Sequence, residues 1–136
     1  MMNKIIKNYF YLIAGILGVL FSFTHAWNGI TSILPLLERT SQDLNLNITF
    51  LYLWHIITSE NLIFGIAFLI MAFYKDLSKV KFTAYVISAI MIFRFFVIIG
   101  STLLKDPTAF ISSLIDGITI IIYTGLIILG TRVKNK

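Results

Sequence analysis

Four apolar runs, each about as long as a bilayer crossing, constrain this 136-residue chain more than any other feature. A membrane helix needs roughly 20 mostly apolar residues to cross about 30 Å of hydrocarbon. The first run extends over residues 9–34 and is expected to stop at Pro35, which cannot continue a helix. The second covers 48–74. The third covers 82–104 and is closed by "KDP" at 105–107, and the fourth covers 111–130. The fold expected is all-α: an integral membrane four-helix transmembrane bundle forming one domain over 1–136. Connections this short force successive helices to pack antiparallel.

Composition agrees. The chain is 58% apolar and 12% charged, against about 45–50% and about 25% in soluble domains. That leaves too few polar groups for a water-facing surface. Cysteine is absent, which excludes a disulfide framework, a thiol nucleophile and a cysteine metal site. The net charge of +5 does not indicate a nucleic-acid partner, because the charges sit at the ends of the apolar runs.

Those end charges give an orientation. Lys4, Lys7, Lys75, Lys79, Lys81, Arg132, Lys134 and Lys136 fall on one side, and only Arg39 and Lys105 on the other. Basic residues stay on the cytoplasmic side. Both termini and the 75–81 loop are therefore expected inside, and the loops at 35–47 and 105–110 outside, in a bacterial cytoplasmic membrane. Lys4 and Lys7 before the first run resemble a signal peptide, but that run exceeds the ~7–15 residues of such a segment. It is expected to be retained as a helix. Asn47 begins an N-I-T glycosylation sequon.

Five ionisable residues lie within the runs: His25, His55, Glu60, Arg94 and Asp116. An Asp or Arg at the centre of a bilayer costs about 2.5–3.5 kcal/mol on insertion scales. At about 1.5 Å per residue, Glu60 and Arg94 fall near mid-helix, and His25, His55 and Asp116 roughly 7–9 Å further outward. All four helices thus supply groups to one slab, from the midplane to the outer half. On the first helix Gly15, Gly18, Ser22, His25, Gly29 and Ser32 form a stripe of small residues, of the kind that lets helices approach closely. On the fourth, Ser112, Asp116, Thr119, Tyr123, Leu126 and Gly130 form a second. His25 and Asp116 should point inward. On the second helix His55 and Glu60 lie about 140° apart and cannot share a face.

Two readings of each group stand side by side. Glu60 and Arg94 form a structural ion pair, or Arg94 holds an anionic substrate while Glu60 moves a proton. His25 and His55 bond between helices, or they ligate haem iron or a metal, with Asp116 completing the set. Neither E-x-x-H nor H-E-x-x-H spacing occurs. Trp27 and Trp54 serve as interfacial anchors or wall a pocket, which Asn28, Thr58, Asn61 and Tyr123 would also line. No phosphate loop or G-x-S-x-G nucleophile elbow is present, so the sequence offers no catalytic motif and leaves enzymatic activity open, with a non-enzymatic role favoured.

"VLFSFTHAWNGITSI" near the end of the first helix and "ENLIFGIAFLIMAFYKDLSKVKFTAYVISAIM" from Glu60 to Met91 resemble the DoxX-like small membrane proteins. The resemblance covers about half the chain and rests on hydropathy. It implies a four-helix fold and an association with membrane oxidoreductase or quinone-linked systems. The outer loop and the paired histidines depart from that pattern, so no catalytic residue carries over.

Three functions stand as expectations. One is a membrane protein that binds or transports a small ligand or ion, with proton coupling, through His25, His55, Glu60, Arg94 and Asp116. The second is a redox subunit holding haem or quinone between the first two helices. The third is a structural subunit of a membrane complex. The bilayer is a partner in each, and a homo-oligomer or a larger assembly is expected.

Overall fold

The computed structural model describes residues 6–134, apart from the side chain of Ser112, so Lys4 and Lys136 lie outside the described residues. Helix α1 covers Tyr9–Asn28, and a π-helical turn at Gly29–Ile33 leads into α2, Leu34–Thr40. Helix α3 is Leu44–Phe73 and α4 is Leu77–Lys105. A 3₁₀ turn at Pro107–Ala109 opens into α5, Phe110–Thr131. Among the described residues there is no strand. Four helical spans are long and apolar enough to cross a membrane.

The first expectation to be corrected concerns Pro35. The helix does not stop there; it runs on as a 32-residue rod from Tyr9 to Thr40. A proline ring collides with the carbonyl four residues earlier. The π turn just before it adds a residue to the coil, and the Leu34 N–H bonds back to the Gly29 carbonyl. The wider turn accommodates the ring, and Pro35 sits in the first turn of α2, where its missing N–H is tolerated.

The loops are also shorter than hydropathy suggests. Asp43 caps α3 by accepting from the N–H groups of Asn45 (2.9 Å) and Leu46 (3.2 Å). Asp76 caps α4 through Ser78 N–H (3.1 Å). Most of the expected 35–47 loop is therefore helix, and so are Lys79 and Lys81. Hydropathy registers only the apolar length, whereas a side-chain cap lets polar turns beyond it stay helical. The N-I-T sequon falls inside α3, and the Asn47 amide donates to the Ser41 carbonyl at 3.1 Å.

The core forms where α1 crosses α3. A methyl group on Gly18 would lie 2.7 Å from the Gly65 Cα, so the two backbones meet directly. Such approach needs residues without side chains. Tyr11, Phe68, Met91, Tyr123 and Ile127 fill the adjoining interior. One end of the bundle is tied by Asn8. Its N–H bonds to the Ala72 carbonyl (3.1 Å), and its amide bonds to the Gly130 carbonyl (2.8 Å). The same side chain caps α1 through Tyr11 N–H. The start of α1, the end of α3 and the end of α5 are thus pinned together. Along the bundle α1 packs mainly on α3 and α4 on α5, α1 also meets α5, and α3 and α4 touch little. A cleft opens between the two pairs where α3 and α4 are not in close contact.

The small-residue stripe of α1 holds through Gly29: Gly15, Gly18, Ser22 and Gly29 are buried. Ser32 is exposed. The extra residue in the π turn rotates everything after Gly29 away from the stripe's phase.

A polar cleft between two helix pairs

The cleft has a volume of about 610 Å³ and takes residues from α1, α3, α4 and α5. Its polar lining includes His25 and Asn28 from α1, Asn61 from α3, Arg94 from α4, and Asp116 and Thr119 from α5. The apolar part includes Phe21, Trp54, Met91, Ile98 and Tyr123. Trp54, Ile57 and Asn61 repeat at helical spacing along one face of α3, which is why they share the cleft wall.

His25 is fixed by Trp54. The two rings stack with centroids 4.2 Å apart and planes 5° from parallel. The indole N–H donates to the His25 carbonyl at 3.0 Å. Trp54 reaches this position because Gly29, one turn further along α1, has no side chain; a Cβ there would overlap the indole. The next turn back is held by Ser22, whose hydroxyl donates to the Thr58 carbonyl (2.9 Å).

Arg94 reaches across the gap between α4 and α3. It pairs with Glu60 and donates to the side-chain amide oxygen of Asn61 at 2.9 Å. The Arg94 side chain is 17% exposed and that of Glu60 42%. Glu60 therefore lies on the outer edge of the bridge, and it does not line the cleft.

Seven of the expected residues meet here: His25, Asn28, Trp54, Asn61, Arg94, Asp116 and Tyr123. His55, Thr58 and Trp27 do not. His55 is one residue on from Trp54, about 100° around α3, so the two cannot face the same space. Thr58 bonds to its own helix at the Trp54 carbonyl (3.1 Å). Trp27 is 72% exposed and points away from the protein. Since His25 and His55 do not face one cavity, a haem held between them has no seat. Among the described residues no three His, Asp or Glu groups converge on a point where a metal could bind, so His25, His55 and Asp116 do not form a ligand set.

Sequence reasoning missed Thr24 and Thr119, which also line the cleft. Thr119 stood in the α5 stripe with Asp116, and its spacing from Asp116 was the available signal. Thr24 had none, because it lies beside rather than within the α1 stripe.

Comparison with family models, curated proteins and solved structures finds no match to this chain. Fold and geometry define the class by themselves: an all-helical protein with four spans long and apolar enough for a bilayer, and a polar cleft between its two helix pairs.

Proposed function

We propose that this chain is an integral membrane protein that binds a small molecule in the cleft and passes it between the membrane and the outer side. The α1–α2 rod, α3, α4 and α5 cross in antiparallel order with both termini in the cytoplasm. The distribution of Lys and Arg supports that orientation. The cleft then opens toward the outer face, since its lining lies beyond the α1–α3 crossing, away from the Asn8 tie. The observation that carries the reading is the cleft itself. About 610 Å³ is the size of a small-molecule site, and such sites are mostly apolar with a few convergent polar groups.

The test uses the absence of cysteine. Single cysteines at Asn28, Asn61 and Thr119 should react with a charged, water-soluble thiol reagent added outside. Cysteines at Ile63 and Phe96, both exposed but away from the cleft, should not. Unreactive cleft positions would remove the reading.

One observation favours a second reading, membership in a larger assembly. The half-exposed Glu60 carboxylate lies near the middle of α3, where exposure to lipid is costly and intramembrane charges usually face protein. Oxidative crosslinking through Ile63→Cys, one turn from Glu60, should then give a dimer or a heteromeric product in native membranes.

A further inference from the structure

We infer that the cleft selects lipophilic organic cations, with the Asp116 carboxylate holding their charge. The inference rests on the cleft being a ligand site, as proposed above.

Three observations converge. The first is the state of Asp116. It lines the cleft, and no described side chain forms an ion pair or hydrogen bond with it. Within membrane spans, carboxylates pair or face a cavity that supplies a partner. The second is that the opposing cation is already engaged. Arg94, on α4, is held by Glu60 and Asn61, so its charge is already balanced by a carboxylate other than Asp116. Of the other titratable groups on the wall, His25 stacks flat on Trp54 and Tyr123 is a neutral phenol. With the Arg94 charge taken up by Glu60, Asp116 leaves the cleft with an excess carboxylate that, among the described residues, meets only the electrostatic contact of His25.

The third is the rest of the wall. Phe21, Trp54 and Tyr123 bring aromatic rings from three helices, and Met91 and Ile98 add apolar surface. Aromatic faces attract cations, most strongly when the charge is diffuse and desolvation is cheap. A bare metal ion lacks a ligand set among the described residues. A hydrated inorganic cation gains nothing from the aromatic rings. A bulky organic cation gains from both the carboxylate and the rings.

The test compares two ions of nearly equal shape and opposite charge, tetraphenylphosphonium and tetraphenylborate. Each is titrated calorimetrically into the full chain in nanodiscs, with empty discs subtracted. Tetraphenylphosphonium should bind saturably. Asp116→Asn should weaken it by about tenfold or more, and Asp116→Glu should restore it to within about threefold. Circular dichroism on both variants confirms that they are folded. Tetraphenylborate should show no saturable site. Equal binding of the two ions, or an unchanged affinity in Asp116→Asn, overturns the inference. If neither ion binds while the cleft cysteines react, charge selection fails and the binding site stands. If the cysteines are also inert, both readings fail.

Discussion

His25 lies flat against Trp54, ring centroids 4.2 Å apart, and the same indole donates to the His25 backbone carbonyl. One side chain of α3 thus fixes both the imidazole and the main chain of α1 at the cleft wall. Trp54→Phe keeps a smaller aromatic ring and loses the N–H. It should cost at least about 1 kcal/mol, the net value of a hydrogen bond, and less than Trp54→Ala. Trp54→Ala should cost about 3–5 kcal/mol, as truncation of a large packed aromatic does. Thermal unfolding in detergent measures both.

Gly29 makes that stack possible. Gly29→Ala places a methyl group into the indole and should destabilise by about 1–3 kcal/mol. Combined with Trp54→Ala, the added methyl should cost much less, since its obstacle is gone. Additive penalties in the double mutant would show that Gly29 matters for another reason.

The α1–α3 crossing gives a matched pair. Gly65→Ala drives a methyl group to about 2.5 Å from the Val19 amide nitrogen, and backbone cannot yield as a side chain can. It should unfold the protein or separate the helices. Gly125→Ala meets nothing within 4 Å and should be close to neutral or slightly stabilising. Melting temperatures of the two variants decide the matter.

Removing Arg94 leaves Glu60 without its cation and frees the α3–α4 bridge. Arg94→Met should destabilise by about 1–3 kcal/mol. Glu60→Gln should cost less, because the amide oxygen still accepts from Arg94 and the side chain is the more exposed of the two. The double variant Glu60→Gln/Arg94→Met should be more stable than Arg94→Met alone.

Asp106 governs a pH response at the α4–α5 connection, outside the spans. The Thr108 hydroxyl (2.5 Å) and N–H (3.0 Å) donate to its carboxylate, and this holds its pKa below the ordinary carboxylate value. A lowered pKa in the folded state means that the stabilisation is complete above the ordinary value. It fades as the pH falls from there through the lowered one. Amide exchange at Thr108 and Ala109 should accelerate over that acidic window. In Thr108→Ala the window should narrow from its acidic end and the response should shrink.

The amphipathic detail was legible where side-chain spacing alone carries the information. The α1 stripe located His25 beside buried Gly18, Ser22 and Gly29, and the α5 stripe placed Asp116 and Tyr123 on the cleft. It failed on α3. That helix is apolar nearly all round, so no face stands out, and His55 and Trp54 were equally plausible wall residues. Glu60 was named together with Arg94, yet nothing in the sequence shows that Arg94 lines the cleft while Glu60 sits on the outer edge of the bridge. Ser32 and Pro35 were misread together, because a single π turn both carries the helix past the proline and shifts the phase of the residues beyond Gly29.

Length and hydropathy by themselves determined four membrane-length helices, because the number of apolar residues in a row is a one-dimensional quantity. The cleft was decided only in three dimensions. Glycine contacts hold α1 to α3, the Asn8 tie closes one end, and α3 and α4 make little contact with each other. Whether a polar side chain meets a partner, a cavity or lipid depends on the distance between helices, and a linear pattern does not contain that distance.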